Sequence, residues 1–157
     1  MQETLLELVN RHLQAENRHD IEATLSTLHP DCIFEDLGLG WTYHGRDGAA
    51  RYYDTWWSAF DLIVRGERRH WSRDDALIAE TRFTGKHVGA FCGIPATGHD
   101  LDLHIVVIVE FREGLMAGER FYYDSRSLFA QLGCFDSEAA VATRGARCTW
   151  PSLVQPA

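Results

Sequence analysis

Two aspartates occupy positions where a carboxylate could act as a base. Asp124 follows the aromatic pair Tyr122-Tyr123 at the end of a predicted strand, and Asp36 shares one face of a short predicted strand with Phe34. Burial among apolar side chains disfavours the charged form of a carboxylate and can raise its pKa by up to about 3–5 units. Such a carboxylate can remove a proton next to a carbonyl group near neutral pH. Both aspartates are therefore candidate catalytic bases.

Each aspartate also has a purely structural explanation. Asp124 can cap the helix that follows it, because aspartate at a strand–helix junction readily accepts hydrogen bonds from the first free amides of the helix. Asp36 precedes the glycine-rich stretch 37–40, and aspartate is common before turns. Both alternatives stay open at the level of sequence.

An enolate reaction also needs a hydrogen-bond donor for the substrate oxygen. His104 shares a face of the central predicted strand with Asp102, which could orient its ring, so His104 is the third catalytic candidate. A hydrogen-bonded core histidine fits the same pattern. The candidate substrate-binding residues are aromatic or polar side chains expected near a pocket: Tyr53, His12, Trp56, Trp57, Phe91, Asp102 and Tyr122.

No metal site is predicted. Asp100, Asp102 and His104 lie on one strand face, but three such residues span about 13 Å at about 3.3 Å per residue. They cannot all bind one ion without a bend in the strand. We therefore expect metal-independent chemistry that uses no cofactor.

The elements that would position these side chains follow from the apolar periodicity. Three helices are predicted at 3–18, 21–28 and about 47–60, strands at 32–36, 62–72, 76–85, 101–111 and 117–124, and a short last helix that ends at Gly133. The central strand is continuously apolar over 105–109, which is typical of a strand buried on both faces. The order predicts an α+β fold with helices on one side of a curved antiparallel sheet.

Composition limits the function classes. The 157 residues are 45% hydrophobic and 24% charged, which predicts one globular domain, and the net charge of −8 argues against nucleic acid or an anionic membrane as the partner. The only basic cluster, Arg65, Arg68 and Arg69, is expected on a solvated strand edge. No apolar run approaches the roughly 20 residues of a membrane span. The N-terminal residues also lack the basic region of a signal peptide. Together these two observations predict a cytoplasmic protein.

The four cysteines are scattered, with no CxxC pair, so reduced thiols are expected rather than a disulfide framework or a zinc site. The main domain is predicted to cover residues 1–133. The tail, residues 134–157, has no strong periodicity and is expected to be partly helical, around 139–141, or mobile.

Four motifs carry a family resemblance: Gly-Ile-Pro-Ala-Thr-Gly at 93–98, Phe111 with Gly114, Tyr123-Asp124, and Gln-Leu-Gly at 131–133. Over about residues 3–133 the chain resembles the SnoaL-like polyketide cyclases, in the nuclear transport factor 2-like superfamily with ketosteroid isomerase. The resemblance implies a cone-shaped fold, in which about three helices on a curved antiparallel sheet enclose a hydrophobic pocket.

The same resemblance implies a function. It predicts cofactor-free general acid/base catalysis on a hydrophobic or aromatic, polyketide-like carbonyl compound, through an enolate to cyclisation or isomerisation, as in a lyase or isomerase. It also implies a homodimer. Asp124 falls on the aspartate that the cyclases use as general acid/base.

Two relatives of the fold suggest further roles. The spacing of ketosteroid isomerase places Asp36 on its catalytic base, Tyr53 on a pocket tyrosine and His12 on the helix tyrosine that donates to the oxyanion. Limonene epoxide hydrolase would use Asp102 as one acid, but Phe121 stands where its second acid should follow Arg120. The alternatives are therefore a non-catalytic small-molecule binding protein of this fold and a water-activating, epoxide hydrolase-like enzyme.

Overall fold

The computed structural model describes residues 4–135 and 151–157. Its elements follow one another as α1 Leu5–Asn17, α2 Ile21–Ser26, β1 Leu28–Asp36, β2 Trp41–His44, α3 Gly45–Ala59, β3 Ile63–Trp71, β4 Leu77–Lys86, β5 Asp100–Arg112, β6 Leu115–Tyr122 and α4 Ser125–Gln131. The predicted order is confirmed, with β2 added. Four residues directly after a glycine-rich turn are too few for periodicity to reveal a strand.

The strands form one sheet in the order β2-β1-β6-β5-β4-β3. Neighbouring strands are antiparallel except for β1 and β6, which run parallel. The mixed α+β class with a curved sheet is confirmed, and the parallel pair makes the sheet mixed rather than wholly antiparallel. Because β2 and β3 lie at opposite edges of the sheet, the connection through α3 crosses it, and α3 packs on β1 and β2.

The expectation that β5 is buried on both faces is wrong. Burial alternates along the strand: Leu103, Ile105 and Val107 face the core, whereas His104 is exposed and Val106 is 38% exposed. Two apolar residues on the outer face, Val106 and Ile108, made an ordinary alternating strand look continuously apolar. The sheet therefore has an inner face, covered by helices, and an outer face with charged and apolar side chains.

Helix α1 begins with a capping box. The Thr4 hydroxyl accepts from the Glu7 amide at 3.2 Å, and a Glu7 carboxylate oxygen accepts from the Thr4 amide at 2.8 Å. These two bonds satisfy free amides of the first turn. The buried stripe runs through Leu8 and Val9 rather than Leu6, which is exposed. His12, one of the candidate substrate-binding residues, lies in the interior and is 3% exposed.

Part of the C-terminal tail packs on β2. The Trp41 indole donates to the Leu153 carbonyl at 2.8 Å, and the Gln155 amide bonds the backbone N–H and C=O of Thr42 at 2.9 and 2.7 Å. This end of the chain is therefore held by specific hydrogen bonds. The helix expected around 139–141 lies outside the described residues.

The cysteines differ from the prediction of four reduced thiols. Cys134 is disulfide-bonded, whereas Cys32 and Cys92 are free. Pairing depends on distance in space, so spacing along the chain did not reveal it. Disulfides are rare in the cytosol, so the cysteines do not support the expected cytoplasmic location. Among residues 4–135 and 151–157, no helix is both long and apolar enough to cross a membrane.

Candidate active site

A cavity of about 50 Å³ lies between α1 and the inner face of the sheet. Much of its wall is apolar, including Val9, Leu13, Leu77, Val107, Val109 and Met116. Four ionisable side chains also line it: His12, Glu16, Arg69 and Glu119. The volume suits a few water molecules or the small reacting end of a ligand.

Glu119 is the acid on the inner wall of the cavity. On β6 it lies on the same face as Phe121, two residues on, and it is 7% exposed. Burial raises the pKa of Glu119 to about 7, although the Tyr53 hydroxyl, 3.3 Å from Oε2, favours the ionised form. Oε1 accepts no hydrogen bond from the described residues. Glu119 therefore titrates near neutral pH with one oxygen free to take and return a proton.

Helices α1 and α3 bring His12 and Tyr53 to Glu119. The Tyr53 hydroxyl oxygen is 3.1 Å from His12 Nε2, and His12 Nδ1 is 2.7 Å from the Thr27 hydroxyl oxygen. That hydroxyl is in turn 2.6 Å from the Thr24 carbonyl oxygen. Burial lowers the pKa of His12 to about 4, so its ring is neutral at pH 7 and carries one N–H. These groups form one buried chain of hydrogen bonds.

The chain can run in either direction. With Glu119 protonated, Glu119 donates to Tyr53, Tyr53 donates to His12 Nε2, and His12 Nδ1–H donates to Thr27. With Glu119 ionised, Tyr53 donates to Glu119 and His12 Nε2–H donates to Tyr53. Thr27 then turns its one hydroxyl hydrogen from the Thr24 carbonyl to Nδ1, and that carbonyl keeps its hydrogen bond from the Thr27 amide at 3.1 Å. A neutral histidine has a tautomer for each arrangement. Glu119 can thus change its charge without leaving a polar atom of the chain unpaired, which is costly when buried.

Glu16 supplies a second carboxyl to the cavity. It lies one turn of α1 after His12, and its Oε2 atom is 3.9 Å from His12 Nε2, as is Glu119 Oε2. Burial, followed by the nearby Glu119 carboxylate, raises the pKa of Glu16 well above its ordinary value. Two carboxyls in one apolar cavity do not both ionise readily, so the ionisation of either one favours the protonated form of the other.

Asp36 belongs to a separate buried cluster and does not line this cavity. It is 1% exposed; the Tyr123 hydroxyl donates to its two oxygens at 2.8 and 3.0 Å, and the Leu39 amide donates to Oδ1 at 2.9 Å. The Tyr52 hydroxyl is 3.5 Å from Oδ2. Burial raises the pKa of Asp36 to about 6, against these hydrogen bonds. Both oxygens are engaged, so the carboxylate ties the end of β1 to the chain after β6.

Gly38 allows this arrangement. A Cβ atom at Gly38 would lie 2.4 Å from Cζ of Tyr123, so any side chain there would push the ring away from Asp36. The glycine-rich stretch after β1 therefore forms the turn and also lets the Tyr123 ring pack closely against the backbone.

A pair of stacked rings lies between the two clusters. The ring centroids of Tyr52 and Phe121 are 5.0 Å apart. The Tyr52 hydroxyl approaches Asp36, whereas Phe121 lines the cavity. The two acids are thus in different compartments of one core.

The structure brings two of the predicted substrate-binding residues, His12 and Tyr53, together at the cavity. Trp57 stacks on Tyr53 with a centroid distance of 4.9 Å, next to the buried chain rather than in the cavity wall. Trp56 and Phe91, 4.9 Å apart, lie in the core on the Asp36 side, with Trp56 6.2 Å from Tyr123.

Asp124 lies outside both clusters. It is exposed, and its side chain accepts from the Arg126 amide at 3.0 Å as the N-cap of α4. Asp124 therefore caps α4, which is the structural explanation considered from the sequence.

Three more predicted site residues, His104, Asp102 and Tyr122, are exposed on the outer face of the sheet. His104 Nδ1 is 3.8 Å from a Glu67 carboxylate oxygen, and Asp102 accepts two hydrogen bonds from Arg82 at 2.5 and 2.6 Å. They face outward because the alternate positions of β5 and β6 fill the core. Within the described residues, no three histidine, cysteine or acidic side chains are grouped as a metal site requires.

Glu119 and Glu16 were not among the predicted site residues, although the sequence carries a signal for each. Glu119 alternates with Phe121 and Tyr123, so it shares their inward face. Glu16 is four residues after His12 and three after Leu13, which places it on the same side of α1. A carboxylate on the inward face in the middle of a helix or strand therefore indicates a candidate site residue as well as one at the end of a strand does.

Comparisons with known proteins agree with this fold. The sequence profile of the SnoaL-like polyketide cyclase family matches residues 6–132. TsrD from Streptomyces laurentii is 26% identical, with a TM-score of 0.71 over 82% of this chain and 93% of that one. A candidate polyketide cyclase from Pseudomonas putida KT2440 is 23% identical, with a TM-score of 0.74 over 82% and 98% of the two chains.

A third structure has a ketosteroid isomerase-like fold. It is a protein from Catenulispora acidiphila DSM 44928, solved in complex with trimethylamine, and it is 18% identical with a TM-score of 0.69 over 81% of this chain and 92% of that one. A search of curated protein sequences found no match. At these identities the last two structures are evidence for the fold alone.

Proposed function

Because the chain belongs to the SnoaL-like polyketide cyclase family, we propose that it performs cofactor-free general acid/base catalysis on a small hydrophobic carbonyl compound. One observation carries the proposal. The carboxyl of Glu119 faces a mainly apolar cavity with a pKa raised to about 7, where an acid both takes and returns protons efficiently. The reaction class is removal of a proton next to a carbonyl, followed by cyclisation or isomerisation of the enolate.

The steps use three side chains. Ionised Glu119 takes the proton from the carbon beside the carbonyl, and the electron pair of that C–H bond moves to the carbonyl oxygen. Protonated Glu16 donates a hydrogen bond to that oxygen as its charge develops. Glu119 then returns the proton to another carbon, for isomerisation. For cyclisation, the enolate carbon attacks a second carbonyl, and the oxygen of that carbonyl takes the proton from Glu119. Tyr53 reverses its hydrogen bond each time Glu119 gains or loses the proton.

This proposal assigns the base to Glu119 rather than to Asp36 or Asp124. The oxygens of Asp36 are already occupied by donors, and Asp124 is exposed at the start of α4. Epoxide hydrolysis is not favoured, since Asp102 pairs with Arg82 on the outer face of the sheet.

Binding without catalysis is a second candidate function, because the cavity is small for the polyketide-like substrate of a cyclase. Sites that enclose drug-sized ligands measure about 300–1,000 Å³, and this cavity measures about 50 Å³. A polycyclic substrate therefore has to displace part-buried side chains such as Leu13 before its carbonyl reaches Glu119. We infer that only a short carbonyl compound, or the reacting end of a longer one, enters.

We also propose a homodimer that pairs through the outer face of the sheet. Val106 and Tyr122 are large apolar side chains exposed on that face, in the middle of its charged residues. Light scattering at micromolar concentration is expected to give twice the chain mass, and a monomer there would contradict the dimer.

The function is tested by deuterium uptake from heavy water into carbonyl compounds, followed by NMR. The panel contains methyl acetoacetate, a cyclic 1,3-diketone and an aromatic β-keto ester. We expect uptake above the buffer rate with the wild type, a loss of at least about 100-fold in Glu119→Gln, and wild-type rates in Asp124→Asn. Ligand binding without uptake would support the binding function, and equal uptake in Glu119→Gln would refute the assignment of the base.

A further inference from the structure

Among the described residues that line the cavity, Arg69 alone carries a permanent positive charge. Its Nη1 atom donates to Asn10 Oδ1, on α1, at 2.7 Å. Within the described residues, Arg69 pairs with no carboxylate. It lies on β3, an edge strand of the sheet, as predicted for the cluster of Arg65, Arg68 and Arg69, but unlike the two exposed arginines its side chain is partly buried and lines the cavity.

Four other arginines of the sheet do have acidic partners. The nitrogen–oxygen distances are 3.9 Å for Arg68–Glu80, 2.5 Å for Arg82–Asp102, 3.9 Å for Arg112–Asp31 and 2.9 Å for Arg120–Glu110. Arg65 also has no acidic partner among the described residues, but it does not line the cavity, whereas Arg69 does, so the Arg69 guanidinium can meet a ligand there. A planar guanidinium matches a carboxylate through two parallel N–H donors.

The free edge of the Arg69 guanidinium is the one needed for such a match. With Nη1 bonded to Asn10, the Nε–Nη2 edge remains, and both atoms lie 3.6 Å from the point where a Cβ of residue 66 would stand. Residue 66 is glycine, at an irregularity in the pairing of β3 with β4, so this residue has no side chain that could cover the edge. The local backbone therefore leaves space beside two parallel donors.

We propose that Arg69 binds a carboxylate group of the ligand, and that the ligand is therefore a short oxo acid rather than a neutral ketone or ester. Arg69 and Glu119 line the same cavity of about 50 Å³, so a molecule of a few carbon atoms can place its carboxylate at one and its carbonyl at the other. The carbonyl part of this assignment rests on the proposed function. The carboxylate part rests on Arg69 alone.

The experiment titrates acetoacetate and methyl acetoacetate into the isotope-labelled protein and follows backbone and arginine Nε–Hε signals by NMR. The two compounds share a carbon skeleton and differ in charge. The variants are Arg69→Gln, which removes the charge, Arg69→Lys, which keeps the charge without the fork, and the matched control Arg68→Gln, from the exposed neighbouring pair. Circular dichroism checks that each variant is folded.

We expect the wild type and Arg68→Gln to bind acetoacetate at least about tenfold more tightly than the ester, in keeping with a charge-assisted hydrogen-bonded pair. Arg69→Gln should lose this preference and keep the affinity for the ester, and Arg69→Lys should retain part of it. Equal binding of acid and ester by the wild type, a preference unchanged in Arg69→Gln, or no binding of either compound overturns the proposal.

Deuterium uptake measured on the same samples separates the two inferences. If the protein prefers acetoacetate through Arg69 but catalyses no deuterium uptake, the carboxylate site is supported and the proposed catalysis is refuted. Uptake into the ester as fast as into the acid, with no effect of Arg69→Gln on either compound, retains the catalysis and refutes the carboxylate site.

Discussion

Asp36 and Glu119 are two buried acids in one core, and their surroundings differ in two respects: the number of hydrogen-bond donors and the presence of a cavity. Burial raises the pKa of both, to about 6 for Asp36 and about 7 for Glu119. Two tyrosine hydroxyls and a backbone amide surround the Asp36 carboxylate, whereas one tyrosine hydroxyl reaches Glu119. Glu119 also faces a cavity.

A raised pKa alone does not identify a catalytic acid, since both Asp36 and Glu119 have one. A carboxylate with hydrogen-bond donors on both oxygens holds elements together, and a substrate reaches it only by displacing those donors. A carboxylate with a free oxygen and a reversible partner can exchange protons at little structural cost. The free acceptor oxygen, more than the pKa, distinguishes the two clusters.

Replacing each acid by its amide gives the largest expected difference. Glu119→Gln should lower the rate of deuterium uptake by at least about 100-fold, because the proton acceptor is removed. Asp36→Asn should keep the rate within about threefold, because Asp36 does not line the cavity. Rates measured per folded molecule, with the folded fraction taken from circular dichroism, separate catalysis from stability; a collapse of activity in a folded Asp36→Asn would reverse the assignment.

The stability of the wild type should fall as pH rises from 4 to 7. Asp36 has an ordinary pKa of 3.8 and a folded-state pKa of about 6, so between these values the folded state binds more protons than the unfolded state. Stability from this group is full below pH 3.8 and is lost through pH 6, a loss of about 3 kcal/mol by linkage. Glu119 acts in the same direction, through about pH 7.

Urea unfolding at several pH values measures this dependence. The fall between pH 4 and 7 should be smaller in Asp36→Asn, which has no carboxyl to titrate at that site. An unchanged pH dependence in that variant would mean that Asp36 is ionised normally in the folded protein.

Removing one hydroxyl from the Asp36 cluster should have a smaller effect on stability. Tyr123→Phe deletes the donor to both Asp36 oxygens and should cost about 1–3 kcal/mol at pH 8, where the carboxylate is charged. The cost should shrink at pH 5, where Asp36 is protonated. Urea unfolding at the two pH values provides the test, and a larger cost at pH 5 would contradict the account.

The adjacent tyrosines Tyr52 and Tyr53 allow a matched test of the cavity. Tyr53→Phe removes the hydroxyl that favours ionised Glu119, so the pKa of Glu119 should rise and the rise of uptake with pH should move to higher pH. At pH 7 the rate should fall several-fold and recover by pH 9. Tyr52→Phe removes a hydroxyl near Asp36 instead and should leave the pH profile in place, so a shift in both variants would weaken the distinction.

The smallest effect is spectroscopic. The favoured tautomer of His12 should change as Glu119 ionises, from N–H at Nδ1 to N–H at Nε2, with the ring neutral throughout. The nitrogen chemical shifts of the imidazole report the tautomer directly. The same shifts in Glu119→Gln should not change between pH 5 and 8, and a wild-type ring that keeps one tautomer over this range would contradict the reversible chain.

Periodicity predicted most of the fold because it depends on local pattern. The inward face of β5 at Leu103, Ile105 and Val107 followed from alternation along the strand. The contact of Asp124 with the start of α4 followed from the preference of aspartate for helix N-caps. The site was harder to predict, because a cavity exists only where packed side chains leave space. Tyr123 fills the space beside Asp36, whereas a cavity adjoins Glu119, and that difference arises from contacts distant in sequence.

The most direct test of the central claim is the pH dependence of deuterium uptake in the wild type and Asp36→Asn. The account predicts that the rate rises with the ionisation of one group near pH 7 and that both proteins share this inflection, because Glu119 is the base in each. An inflection near pH 6 in the wild type that disappears in Asp36→Asn would identify Asp36 as the base and contradict the account.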